Sequence, residues 1–354
     1  MPSKSSRLIC YLLGPSIAIL LAACGGSGDG DYGTGTLSGS ITDTAADDVD
    51  HVILKVIGLR LRQQGAGGQG FIEIDLRDEE DPLEFDLLDY QDGETFPLFN
   101  DVRVPAGVYS HAVLQLEAPA RTPKDCASQN PMDAGSYVVE KVGGEVPIFV
   151  PSAFHGGVQL ASPFRVPLNG DAQIVIDFDL QQALLRPKSQ IPDIEAPCYF
   201  VRPAFRVEAV QNTGRIVGTV ESSLLDGIDD EFCSDDMPDT GNAVYVYRNA
   251  GQIPGDIDAV EPANDQGEAD PMATAKVKQD PDSGVYEYVV GFLPPGDYTV
   301  AFTCQADLDF KPNPLGTTED EQLANDTIVF QYPQNAIVEV QKKTEINFPP
   351  SPSP

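Results

Sequence analysis

The chain has 354 residues, with 55 Asp and Glu against 22 Lys and Arg, a formal net charge of −33, six cysteines, three histidines and no tryptophan. Its 41% hydrophobic content is enough to build real cores, so general disorder is excluded, and the length suits about two domains. The acidic balance excludes nucleic acid and anionic lipid surfaces as partners, because phosphate binding needs Lys and Arg, while 32 Gly and 30 Pro point to a turn-rich, all-β protein.

In chain order, residues 1–23 come first. Lys4 and Arg7 form a positive start, and Leu8 to Leu21 form an apolar core too short for a permanent membrane helix. The following Leu21-Ala22-Ala23-Cys24 resembles the bacterial lipobox. The resemblance implies cleavage before Cys24, a diacylglycerol on its thiol and an acylated amine. Two or three acyl chains anchor stably where one does not. Gly25 after the cysteine implies, by likeness to Gram-negative lipoproteins, sorting to the outer membrane. Residues 24–35 read as the lipidated tether, rich in Gly, Ser and Asp. Cys10 is lost with the signal.

Four cysteines then remain: Cys126, Cys198, Cys233 and Cys304. An even number in an exported protein favours disulfides. Of the three pairings, a domain boundary near residue 212 selects Cys126 with Cys198 and Cys233 with Cys304. Zinc is disfavoured by the absence of CxxC spacing and of nearby His.

Strand-like runs follow at 36–42, 52–61, 71–76, 108–118, 137–142, 172–180 and 200–210. Between 174 and 180, Ile174, Ile176, Phe178 and Leu180 fall on one face at period two, with Val175, Asp177 and Asp179 on the other. Short helices are expected only at 83–91 and 180–186. The opening GTLSGSITDTAADDVDHVILKVIGLRL, the segment VRVPAGVYSHAVLQLEA and the run IVIDFDL resemble the bacterial lipoprotein family called domain of unknown function 4382. The likeness spans about 35–210, interrupted by an acidic insert at 77–95 and a Cys-bearing stretch at 119–135. It implies a β-sandwich over 36–211 and a cell-envelope address, with no activity attached.

From 214 the strand pattern restarts. SGVYEYVVGFLPPGDYTVAFTC is similar to the carboxypeptidase-regulatory-like, or prealbumin-like, sandwich. Pro294-Pro295-Gly296 makes the corner, after which Tyr298, Val300 and Phe302 point into a core. The expected fold is all-β: two tandem β-sandwiches, Ig-like or transthyretin-like, at 36–211 and 214–348, with a disordered Pro/Ser tail at 349–354.

Few constellations carry chemistry. The GxGxxG spacings at 28–33 and 65–70 lie in the tether and between two strands, so neither opens a helix to hold phosphate. His51, His111 and His155 are scattered. In relatives that carry an isopeptide crosslink a Lys stands where Arg215 does, so none is expected to Asn347. The acidic loop with Asp226, Asp229, Asp230, Asp235 and Asp236 has oxygens enough for calcium, but lacks the EF-hand pattern. Solvated charge is therefore the expectation there, with no cofactor and calcium as the alternative. Tyr245 and Tyr247 alternate with Val244 and Val246; on an exposed face they could stack on a sugar, whereas cross-strand packing is the ordinary role.

The sequence therefore supports a lipid-anchored, non-enzymatic envelope protein with a structural or partner-binding role. It meets the membrane through Cys24 and an unknown envelope protein or glycan beyond it. The alternatives are carbohydrate binding by the second sandwich, which predicts exposed tyrosines, and an accessory hydrolase with a site between domains.

Overall fold

The computed structural model describes residues 33–44, 49–65, 71–118, 135–141, 143–150, 158–185, 198–201, 205–225, 241–257, 267–306, 309 and 328–349. Gly33–Pro354 form one compact unit. It is all-β, built as two sandwiches.

The first sandwich opens with β1 (Thr34–Thr44), β2 (Val49–Gln63), β3 (Phe71–Asp75), β4 (Leu83–Asp86) and β5 (Phe96–Pro105). It continues with β6 (Gly107–Leu116), β7 (Tyr137–Glu140), β8 (Gly144–Phe149) and β9 (Val158–Val166). It closes with β10 (Asp171–Asp179), β11 (Leu184–Leu185), β12 (Tyr199–Val201) and β13 (Phe205–Ala209). One sheet has the order β13-β10-β1-β5, and the other β11-β12-β8-β7-β2-β6-β9, with β3 and β4 also pairing β2. β1 lies parallel to β10, so the chain between them crosses to the second sheet before returning.

The long β2 shows why its sequence reads as a nearly continuous apolar run. Val52, Leu54 and Val56 are buried, then Leu59 and Leu61, so the buried positions change parity. A register shift against β6 between Val56 and Gly58 supplies the extra residue. Both halves of the strand therefore face one core.

The second sandwich contains β14 (Gly214–Val220), β15 (Ala243–Arg248), β16 (Ile253–Pro254), β17 (Glu268–Ala269) and β18 (Ala273–Lys276). Then come β19 (Lys278–Gln279), β20 (Tyr286–Leu293), β21 (Gly296–Thr303), β22 (Gln331–Val338) and β23 (Lys343–Glu345). Its main sheets run β19-β20-β14-β23 and β18-β15-β21-β22, and β16 pairs β17 separately. Tyr298, Val300 and Phe302 do enter its core, beside Ile216, Val244, Val246 and Phe348.

Three boundaries differ from the sequence reading. β1 begins at Thr34, so the last two residues of the expected tether belong to a sheet. The helix expected at 83–91 is β4 followed by a 3₁₀ turn at Leu87–Asp89, capped by the Asp86 carboxylate accepting from Leu88 N. The one expected at 180–186 is a single turn, Leu180–Ala183, before β11.

Both sandwiches use the same corner to pass from one sheet to the facing one. Pro105-Ala106-Gly107-Val108-Tyr109 joins β5 to β6, and Pro294-Pro295-Gly296-Asp297-Tyr298 joins β20 to β21. In each, a buried tyrosine hydroxyl donates to the carbonyl of the proline four residues earlier: Tyr109 to Pro105 O at 2.7 Å and Tyr298 to Pro294 O at 2.6 Å. The aromatic ring fills the core while its polar end closes the corner. Replacing Tyr298 with Phe keeps the ring and removes this bond; replacing Tyr109 with Phe removes it together with the longer 3.5 Å bond that Gln63 Nε2 donates to the hydroxyl. Each change is expected to lower unfolding free energy by about 0.5–1.5 kcal/mol in chemical denaturation; unchanged midpoints in both variants would show that the bonds do not hold the corners.

Candidate functional site

Among the described residues, a dense set of buried titratable groups lies where the two sandwiches meet. On β10 the inward residues Ile174, Ile176 and Phe178 enter the core as expected. The opposite face, Val175, Asp177 and Asp179, is buried too. There Asp177 borders a small void whose far wall is Thr274, Lys276 and Phe292 of the second sandwich.

Asp43, at the end of β1, is the centre of this seam. Its Oδ2 accepts from Gln91 Nε2 at 3.1 Å and its Oδ1 from Leu180 N at 3.2 Å. Beside it the single Thr42 hydroxyl proton is shared between two carbonyl acceptors, Tyr90 O at 2.9 Å and Glu94 O at 2.7 Å, at the two ends of the loop that carries Gln91. From the second sandwich Lys278 Nζ donates to Gln91 Oε1 and to Asp92 Oδ2, both at 2.7 Å. Gln91 thus links the buried carboxyl of one sandwich to an ammonium of the other. The backbones come close here, since a Cβ placed on Gly291 would lie 3.4 Å from Gly93 Cα.

Arg206 on β13 is paired with Asp177 across the β10–β13 ladder. Burial raises the Tyr298 hydroxyl pKa, and Arg206 and Glu208 of the first sandwich are among the charges acting on it. Burial likewise pushes the Asp43 carboxyl well above its ordinary value; Asp179 and Asp177 add to this, against the lowering effect of the bonds from Gln91 and Leu180. Chemically, the seam can hold and release a proton. Its void, of about 20 Å³, has room for about one water and not for a substrate. No group of three His, Cys, Asp or Glu among the described residues is placed to hold a metal ion.

Tyr245 and Tyr247 require a correction. Both are fully buried, so neither can stack on a sugar. Val244 and Val246 face the main core of the second sandwich, and the tyrosines occupy a separate cluster on the other face of the sheet, with Ile257, Ala301 and Phe330. Tyr245 OH donates to Asp309 Oδ2 at 2.7 Å, Tyr247 OH to Gly255 O at 2.7 Å, and Ile257 N to Asp309 Oδ1 at 3.2 Å. Burial, with the Asp309 charge next, raises the Tyr247 hydroxyl pKa well above its ordinary value. Packing has taken both tyrosines.

The remaining sequence-selected residues are dispersed. Cys198 packs with Phe149 and Phe200, and Cys304 lies in the core of the second sandwich. Cys24, Cys126, Cys233, His155, the acidic loop with Asp226, Asp229, Asp230, Asp235 and Asp236, and the first GxGxxG all lie outside the described residues. Of the second GxGxxG only Gly65 is among the described residues; the strands before and after it, β2 and β3, pair antiparallel. His51 Nδ1 lies 2.5 Å from Asp86 Oδ2, which raises its pKa, and His111 neighbours Ser110 on β6. Sequence reasoning did not find the seam because nothing local marks Asp43, Asp177 and Asp179 as buried; the one signal is the apolar Val175 on the same face of β10 as Asp177 and Asp179.

The sequence model of the family described as Domain of unknown function (DUF4382) matches residues 34–191. No curated protein matches the chain. Among solved structures, a leucine-rich repeat protein from Bacteroides thetaiotaomicron is 10% identical, with 89% of this chain and 26% of that one covered, at a TM-score of 0.21. The Bacillus anthracis TIE protein is 11% identical over 89% of this chain and 33% of that one, with a TM-score of 0.17. BcpA, the major pilin subunit of Bacillus cereus, is 12% identical over 89% and 99%, with a TM-score of 0.16. The chain thus spans about a quarter to a third of the first two.

Two outcomes follow from the buried groups. Because the pKa of Asp43 in the folded protein lies above its ordinary 3.8, the fold keeps this proton after the unfolded chain has released it. The resulting stability is fully present below that ordinary value and is lost as pH rises through the folded-state value. Asp43→Asn should therefore melt higher than wild type at pH 8, with the gap narrowing by pH 4; a deficit of equal size at both would contradict this. Tyr245→Phe should cost about 1.5–3 kcal/mol in denaturant unfolding, the range for a bond to a charged group. A value near zero would mean that Asp309 does not depend on it.

Proposed function

We propose that this is a lipid-anchored protein of the cell envelope, held by acyl chains on Cys24 at the outer membrane of a Gram-negative bacterium, with a structural or partner-binding role and no reaction of its own. The observation that carries the non-enzymatic part is how the ionisable groups of the seam are used. Asp43, Asp92, Asp177, Arg206 and Lys278 are engaged in joining strands and sandwiches, around a void the size of one water. Residues used this way are scaffold. The anchoring part is supported by the apolar run ending in Leu21-Ala22-Ala23-Cys24 and by the family likeness over 34–191.

Two disulfides, Cys126–Cys198 and Cys233–Cys304, belong to the same reading and suit an oxidising compartment. In support, Cys198 and Cys304 are buried. Closing loops of about 70 residues, each bridge would contribute about 4 kcal/mol in the chain-entropy account.

Metabolic labelling with an alkyne-bearing palmitate, followed by envelope fractionation, tests the address. Wild type is expected to take up label and to sediment with outer membranes, and Cys24→Ser to lose label and to remain unprocessed or leave that fraction. Unlabelled wild-type protein in the soluble fraction would overturn the proposal.

A further inference from the structure

A second concavity lies beside the seam, and its chemistry is the reverse of the rest of the molecule. It is a groove of about 450 Å³, within the range that holds small ligands. Among the described residues that line it, three are cations, Arg215, Lys342 and Lys343, and none is acidic. In a chain with 55 acidic and 22 basic residues, this is a local inversion of charge.

The fold places two of these cations side by side. β14 and β23 pair in parallel, with Arg215 directly opposite Lys343. Like charges in register weaken a sheet, so the pairing has a cost that an anion between them would remove. Arg215 makes no ion pair among the described residues. Lys342 and Lys343 reach Glu339 at 2.8 Å and Glu345 at 3.8 Å, but these lysines are 62% and 53% exposed, and surface pairs of this kind exchange readily.

The opposite wall is built to open the groove. Gly214 pairs Leu293 and Ile216 pairs Val290, so Gly291 and Phe292 bulge out of β20 opposite Arg215. Phe292 has φ 52° and Gln341 has φ 58°, both in the left-handed region that non-glycine residues avoid. Bulges and such residues gather beside binding sites, where they re-aim side chains. Val210, Val289 and Phe292 give the groove an apolar surface, while Thr213 and Gln341 add polar groups.

We propose that this groove binds a small polyanion, a molecule with a compact carbon skeleton or phosphate chain carrying two or more carboxylate or phosphate groups. Arg215 grips one acidic group with its planar fork, Lys343 and Lys342 take a second, and the Val289–Phe292 side accommodates the uncharged part. The negative charge elsewhere does not prevent this, because at physiological salt fields decay over about 8 Å and the nearest charges dominate. This site goes beyond the envelope role proposed above and does not depend on lipid anchoring.

Calorimetric titration of the full-length protein in neutral detergent, with trigalacturonate, citrate and tripolyphosphate as probes and maltotriose as the uncharged control, tests it. At least one polyanion is expected to bind saturably at one per chain, and which probe binds separates a carboxylate from a phosphate ligand. Arg215→Gln and Lys343→Gln should each weaken binding about tenfold or more, as expected when a charge-assisted bond is lost. Lys141→Gln, an exposed charge on the first sandwich, should change it less than about twofold. Unaltered melting of the groove variants would show that they fold. No saturable heat with any polyanion, equal binding of maltotriose, or binding that survives both groove substitutions would overturn the assignment.

Discussion

The structure depends on covering a charged sheet face. The outward side of β13-β10-β1-β5 carries Asp177 and Arg206, and Asp43 lies at the end of β1. Taking carboxylates out of water is costly unless each meets a cation, a donor or a proton. All three remedies occur here: Asp177 has Arg206, Asp43 has Gln91 and the Leu180 amide, and the carboxyl of Asp43 is pushed towards its neutral form. Such contacts add little net stability over an apolar seam, but they are demanding in geometry. Lys278 must reach both Gln91 and Asp92 for the second sandwich to sit against the first.

A second constraint is that some central strands here have no free face. The β18-β15-β21-β22 sheet puts Val244 and Val246 into one core and Tyr245 and Tyr247 into another. A strand buried on both faces loses the apolar-polar alternation of a half-exposed strand and becomes uniformly apolar, as AVYVYR nearly is. The corners follow the same economy. Each tyrosine spends its ring on the core and its hydroxyl on the proline carbonyl, so the chain changes sheets with the hydroxyl satisfied.

Much of the fold was legible in the sequence and little of the site was. Period-two patterning located β10, and the Pro-Pro-Gly-Asp-Tyr segment located the turn into β21, because both signals are local. The phase change in β2 was not legible, since a bulge at Val56–Gly58 depends on what β6 does opposite it. LEFDLLD was mistaken for helix because its apolar spacing also fits a short strand and a capped turn. The tyrosines were ambiguous for the same reason that makes them core: an aromatic on a strand reads alike whether its face is wet or covered. Neither the seam nor the basic groove could be read, because each is made by residues far apart in the chain. Arg215 and Lys343 become neighbours only through a parallel pairing across 128 positions, and Asp43 and Lys278 meet only around Gln91.

The central claim is that the charged seam makes the two sandwiches one folding unit. Differential scanning calorimetry at neutral pH addresses it directly. The account predicts one transition whose calorimetric and van't Hoff enthalpies agree, and whose single peak moves as a whole when Lys278 is replaced by Met. Two resolved transitions, with that substitution leaving one of them in place, would contradict it and make the sandwiches independent bodies that merely touch.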